Sequence, residues 1–532
     1  MRCFPWLLAA AVLMSLALAA ACSGGDDDDD HSNETDFPDD DDVDDDVIDD
    51  DTDDDVDDDT EDGTDDDTGD DDTGDDDTEP LPDDYVAPWP QTNIESHPYD
   101  ETPAAGPLRG KAREYDQWHR DNAQPDYGGN VHAYFTDATY QTILNYHGFG
   151  DSCEWTGTYA GAQAMRYHAT GDPVAKDNVI RMIDALIGYL YVTDTPGFIA
   201  RYWAPQTSLI YGGDAWCDAR DRCHHVESGE YNGDFWYGET SRDMYTGWFF
   251  GMAMAYDLVD DDAMRAKIRT AVSDVLDALI DHQWWIIDEG GEPTDAAPQV
   301  LAPFQLAWTL IGYHITGNED YADAMRRWLR DESHWMMRLQ CISIMNRYAQ
   351  YFGNNLSHVN WFNILRLGKV YFSPEDNAFF QEVFDTQVHG FTRLSHNPWF
   401  TGIYMSTDLY TPAKDDAFLD QLTEDLTDFR DPPLYEYHLD ARTGWTPDPL
   451  SVFLHDLQTQ YPWLIDIMGT WDVQARDPFP VDEQCPAGFM FQWNPFQVEA
   501  CGTEDLTKVH SGHDYLAAYW MASYLGYVTK DM

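Results

Sequence analysis

Two short stretches of this 532-residue chain carry carboxyl groups in one repeated setting. Gly150-Asp151-Ser152-Cys153-Glu154-Trp155-Thr156-Gly157 is echoed about ninety residues later by Thr240-Ser241-Arg242-Asp243-Met244-Tyr245-Thr246-Gly247. Each sets an acid ahead of an aromatic and Thr-Gly, and then opens a run of aromatic and aliphatic residues. Two carboxyl groups held across one bond can divide acid–base work. One, protonated, assists the leaving atom; the other, ionised, activates water or attacks. A helix N-terminus favours the ionised form, so Asp151 or Asp243 is expected as base and Glu154 or Glu239 as acid. The spacing also serves a plainer purpose. Asp151-x-x-Glu154 and Thr240-x-x-Asp243 match capping boxes, in which side chains only satisfy backbone N–H groups. Both readings stand at this level.

Helical hairpins would position these groups. From Ser152 to Ala169 the pattern predicts one helix; Thr170-Gly171-Asp172-Pro173 closes it and starts a partner, since Gly ends helices and Pro suits a first turn. The partner carries Val179, Ile183 and Leu190 on one stripe. A second hairpin runs from Asp243 through Asp260-Asp261-Asp262 to a helix bearing Ile268, Val272, Val275 and Leu279. A third turns at Thr316-Gly317-Asn318, a fourth at Ser373-Pro374-Glu375-Asp376, and 415–430, 449–469 and 513–528 supply further helices. Alternation of strand type is scarce. The predicted class is all-α, with hairpins repeated around a ring and the helix starts on one face. Long connections at 194–238, 389–414, 431–448 and 471–505 would shape that face.

The hairpin repeat with its Gly-Asp-Ser-x-Glu-Trp-Thr-Gly and Ser-Arg-Asp-x-Tyr-Thr-Gly openings resembles the (α/α)6 toroids of the six-hairpin glycosidase superfamily, over residues 130–528. The resemblance implies a carbohydrate-active enzyme with its catalytic groups at one end of the ring, and a polysaccharide or oligosaccharide substrate. Glycoside hydrolysis uses such a carboxyl pair, with Arg242 placed to bind a substrate acid group or to pair with a neighbouring carboxylate. Flat rings cover sugar faces; Trp155, Tyr245, Tyr202, Trp203 and Trp236 are the candidates, and Asp514 opens the last helix at the same mouth. A second reading is elimination. Gly353-Asn354-Asn355-Leu356-Ser357-His358 resembles the Asn-Asn-His neighbourhood of toroid polysaccharide lyases, with Asn355 and His358 as groups that would neutralise a uronate, although His358 stands two places late. A third is a non-catalytic glycan-binding lipoprotein. None of these readings calls for a cofactor or a metal.

The front of the chain reads differently. Residues 1–22 resemble a lipoprotein signal peptide: Arg2, an apolar run from Leu7 to Ala21, and small residues before Cys22, the cysteine to be acylated. Residues 23–84 hold 37 Asp or Glu and no Lys or Arg. Such a stretch repels itself and buries almost nothing, so it is expected to be a disordered tether. Residues 85–130, rich in Pro, Gly and Asp, are expected as a surface arm, and 131–532 as the toroid domain. The expected location is exported and lipid-anchored, in the outer membrane or on the cell surface if the host is Gram-negative, with the membrane touched only through the lipid. Residues 85–532 carry 64 acids against 28 bases, which excludes the basic face nucleic acid selects. Six cysteines follow Cys22; Cys217 with Cys223 and Cys485 with Cys501 suit local disulfides in an oxidising compartment. Cys153 and Cys341 are left either to pair across the ring or to stay as buried thiols.

Overall fold

The computed structural model describes residues 106–532, except 211–213, 295–296, 342–346, 349, 413–415 and 466–469. The leader with Cys22, the tether and the first part of the arm lie outside the described residues.

The inner helices are built to be buried on every side. α2 (Ser152–Thr170) buries nearly all its positions, and Gly157, Ala160, Gly161, Ala162 and Ala164 keep it thin enough for neighbours to approach. A helix surrounded in this way needs no polar face. α4 (Arg242–Leu258), α6 (Ala302–Thr316), α8 (Gly353–Tyr371), α10 (Pro398–Met405) and α13 (His513–Tyr524) share this character. Each packs on the next in that order, and α13 returns to α2 and closes the ring. An outer layer covers them: α1 (Pro107–Asn122), α3 (Pro173–Tyr191), α5 (Asp262–Asp281), α7 (Glu319–Leu329), α9 (Pro374–Val383) and α11 (Asp416–Asp428). α5 shows the expected one-sided stripe, with Ile268, Val272, Val275, Leu276 and Leu279 buried. Among the described residues this makes six inner and six outer helices, an (α/α)6 toroid.

Inner-to-outer turns are short and conventionally capped. Gly171 and Gly317 end α2 and α6 at φ 71° and 69°, a backbone region that glycine enters without Cβ strain. Asp172, Asp261, Asn318 and Ser373 then accept from N–H groups of the following first turns. The connections at the other end, where the inner helices begin, are long. They hold the strands: β1 (His132–Phe135), β2 (Ile143–His147), β3 (Tyr202–Pro205), β4 (Cys223–His225), β5 (Asp234–Tyr237), β6 (Tyr435–Glu436) and β7 (Asp505–Val509). They form two antiparallel sheets, ordered β2-β1-β7-β6 and β3-β5-β4.

Three expectations are corrected. Within the arm, 107–122 is a helix that closes the ring. Its buried Asp116 accepts from Gln163 of α2 at 2.6 Å and from the Trp520 indole of α13 at 3.1 Å. The 389–414 connection contains the inner helix α10, whose eight residues are too few to show a period. Conversely α12 (Pro449–Gln460) is a helix but stands outside the ring. Both local disulfides form, Cys217–Cys223 and Cys485–Cys501, and Cys153 and Cys341 are buried free thiols.

Candidate active site

Asp151 stands immediately before α2 and Glu154 lies in its first turn; Ser241 precedes α4, whose second residue is Asp243. The two helices meet on glycine. A Cβ built on Gly157 would lie 1.9 Å from the Gly247 carbonyl oxygen, and one on Gly247 would lie 2.2 Å from that of Glu154. Gly251 faces Gly157 in turn, so the helices run parallel. Gly247 is one turn below Asp243, which sets Glu154 beside the start of α4.

Neither stretch makes a capping box. The N-cap side chains of Asp151 and Ser241 leave the helix N–H groups alone. Asp151 instead accepts from Arg201 Nη1 at 3.3 Å. That guanidinium also donates to the Gly150 carbonyl at 2.8 Å and, through Nε, to the Glu239 carbonyl. Glu154 is buried, and its Oε1 accepts from Asn355 Nδ2 at 3.0 Å. Glu239 sits at φ 50° and accepts from the Tyr237 hydroxyl. Arg242 donates from Nη1 to the Gln299 carbonyl at 3.2 Å.

The electrostatics separate the acids. Burial holds the Glu154 carboxyl well above the usual carboxylate range, and the charges of Asp243 and Asp151 push it the same way; the Asn355 N–H and Arg201 oppose them. Asp243, partly buried, is lifted to about 6 by burial and then by Asp151, against the pull of Arg201 and Arg242. Asp151 keeps about a third of its side chain in solvent beside Arg201. Such acids, set in different environments, can take different proton roles at one pH. Among the described residues no group of three or more His, Cys, Asp or Glu is placed to hold a metal.

The other candidates fall elsewhere. Asp514 is buried at the start of α13, and its carboxylate accepts from the N–H groups of Met490 and Tyr515 at 3.1 and 2.9 Å; burial lifts it to about 7. His358 is fully buried. Its Nδ1 lies 2.7 Å from the Asn354 carbonyl, its ring stacks on Phe400, and burial lowers it to about 3, so it is neutral and enclosed. The aromatic candidates are packing residues, which corrects the expectation of open platforms. Tyr202 packs in a cluster with Phe149, Trp216 and Phe235; Trp203 stacks on Tyr127 and donates to Asp234 at 2.8 Å; Trp236 stacks on His224. Trp155 lies under Phe489, and Tyr245 stacks on Trp308 while donating to the Gly197 carbonyl at 2.7 Å. The loop aromatics are buried because they belong to the small β3-β5-β4 sheet, whose core the sequence reading did not foresee. Trp285 does keep an open ring on the mouth side, beside a depression of about 530 Å³ with His282, Ile287, Gly291 and Pro293. Arg201 was also missed: its partners are 38 to 51 residues away in the chain, beyond any local spacing signal.

A ring of paired helices whose inner members start at a cluster of carboxyl groups defines an (α/α)6 toroid with an acidic mouth. No protein-family model and no curated protein matches the chain. Among solved structures the chain is similar to the cellulase Cel9M of C. cellulolyticum, at 12% sequence identity and a TM-score of 0.37, with 79% of this chain and 98% of that chain covered.

Proposed function

We propose that this chain is a carbohydrate-active enzyme, a glycoside hydrolase acting on an uncharged polysaccharide or oligosaccharide. Glu154 is its general acid and Asp151, beside Arg201, the ionised partner. The observation that carries this reading is the buried Glu154, held by Asn355 and pushed toward its protonated form by burial and by the charges of Asp243 and the more open Asp151. Hydrolysis of a sugar bond requires that pairing of one protonated and one ionised carboxyl. Asp243 contributes charge that holds the Glu154 proton. Elimination at a uronate would need groups free to neutralise a carboxylate. Here Asn355 is bonded at both ends of its amide and His358 is sealed in the core. The acidic mouth also repels an anionic sugar.

The test is a panel of neutral and uronate-containing glycans incubated with the full-length chain and with Glu154→Gln. New reducing ends without the ultraviolet absorbance of unsaturated uronates, lost by about 10²–10⁴-fold in the variant, are expected. Unsaturated products would sink the hydrolase reading, and binding without turnover would leave a glycan-binding protein.

We further infer export and acylation at Cys22, with the acidic tether holding the toroid away from the membrane. The two disulfides fit an oxidising compartment. Labelled palmitate should enter the chain in a bacterial host and should not enter Cys22→Ala.

A further inference from the structure

The buried polar groups behind Glu154 form one chain. The Trp399 indole N–H of α10 donates to Asn355 Oδ1 of α8 at 3.1 Å, and Asn355 Nδ2 donates to Glu154 Oε1 of α2 at 3.0 Å. Three inner helices thus meet at one amide. Trp399 and Asn355 are each 1% exposed, so water does not compete for these bonds. Their direction is determined by chemistry. An indole N–H can only donate, so it faces the amide oxygen, and the amide NH₂ is left for the carboxyl. Glu154 Oε1 is therefore held as an acceptor. The hydrogen bond from Asn355 falls on Oε1 and not on the other oxygen, Oε2.

We propose that Asn355, locked in orientation by Trp399, is a positioning residue that keeps the Glu154 proton on Oε2, the oxygen the amide does not hold, and sets the pH at which that proton is lost. This rests on Glu154 being the general acid and adds where its proton resides. With the amide locked, the N–H donated to Oε1 also steadies the carboxylate left after proton transfer. Without the lock, the amide can turn its oxygen toward the carboxyl. Oε1 then gains reason to carry the proton, pointing it into the core.

The readout is the infrared carboxyl band of Glu154 in the full-length chain, assigned by its disappearance in Glu154→Gln and followed against pH. Trp399→Phe keeps an aromatic ring and removes the donor, at the cost of some ring volume. Its Glu154 band is expected to change frequency and to ionise about one pH unit higher than in the parent, a tenfold change in proton affinity. Asn355→Leu is expected to move the same way and further. On a hydrolysed glycan, Trp399→Phe should lower kcat about tenfold with KM unchanged, and the alkaline limb of the profile should follow the infrared midpoint. A folded Trp399→Phe whose band and ionisation match the parent overturns the proposal, even if Asn355→Leu does not fold. Turnover surviving in Glu154→Gln would instead overturn Glu154 as the general acid, and the infrared result distinguishes the two failures.

Discussion

Gly157 and Gly247 bring α2 and α4 into backbone contact, so close that a methyl group on Gly157 would sit 1.9 Å from the Gly247 carbonyl oxygen. Glu154 and Asp243 each stand within one turn of that crossing, so the spacing between the two acids depends on two absent side chains.

Gly157→Ala is therefore expected to separate the helices. Overpacking of this kind costs about 1–3 kcal/mol, and the displaced Glu154 should lose turnover as well. Gly110→Ala is the control, because a Cβ there meets nothing within 4 Å and alanine suits a helix interior better by about 0.5–1 kcal/mol. Thermal unfolding of both variants checks this. Equal shifts of the same sign would show that the crossing is not tight.

Asp243→Asn removes a charge that holds the Glu154 proton. The alkaline limb of the activity profile, which reports the acid's ionisation, should move to lower pH. An unmoved limb with retained activity would show that the two carboxyls are not coupled. Complete loss of turnover in a folded variant would mark Asp243, rather than Asp151, as the base.

The same variant should change stability in a pH-dependent way. Asp243 ionises at about 6 in the folded chain against an ordinary 3.8. The native state thus holds its proton more tightly than the unfolded one, and stability is lost as pH rises from about 4 through 6. Asn removes that loss. Its advantage should be near zero at pH 4 and reach about 1–3 kcal/mol above pH 6.5, read from denaturant midpoints. The buried neutral His119 and His358 act oppositely. Both are lowered from 6.5 to about 3, so their contribution is lost as pH falls from about 6.5 toward 3. An Asp243→Asn advantage that is flat from pH 4 to 7 would refute the assignment.

Cys153 and Cys341 are buried and unpaired, and burial raises both thiols above their ordinary range. Only the thiolate reacts. With Cys3 and Cys22 changed to Ser, a chromogenic disulfide reagent should find no fast thiol in the native chain and two after unfolding in guanidinium. One fast thiol in the native state would show that the inner ring opens locally.

Much was legible in the residues because it is local. Glycine after a run, as at Gly171 and Gly317, and a capping Asp, Asn or Ser before the next helix, as at Asp172, Asp261, Asn318 and Ser373, mark the hairpins from α2 to α9. The Cys217–Cys223 and Cys485–Cys501 pairs are local too, closing loops of 6 and 16 residues. α1 and α10 escaped for opposite reasons. Asp116 of α1 owes its burial to Gln163 and Trp520, up to 404 residues away. α10 is short, and it is helical in a setting of neighbours that cover it on all sides.

The sequence by itself determined the repeated hairpins, the acidic front and the three carboxyl groups at the helix starts, because each of these depends on residue type and near-neighbour spacing. Tertiary structure decided the surroundings of those carboxyls. Asp151-x-x-Glu154 has the spacing of a cap, yet Glu154 turns inward to an amide 201 residues away and Asp151 outward to Arg201. Only closure of the ring brings Asn355 and Trp399 behind one acid and leaves the other beside water, and burial and neighbouring charge, not spacing, set the two carboxyls apart.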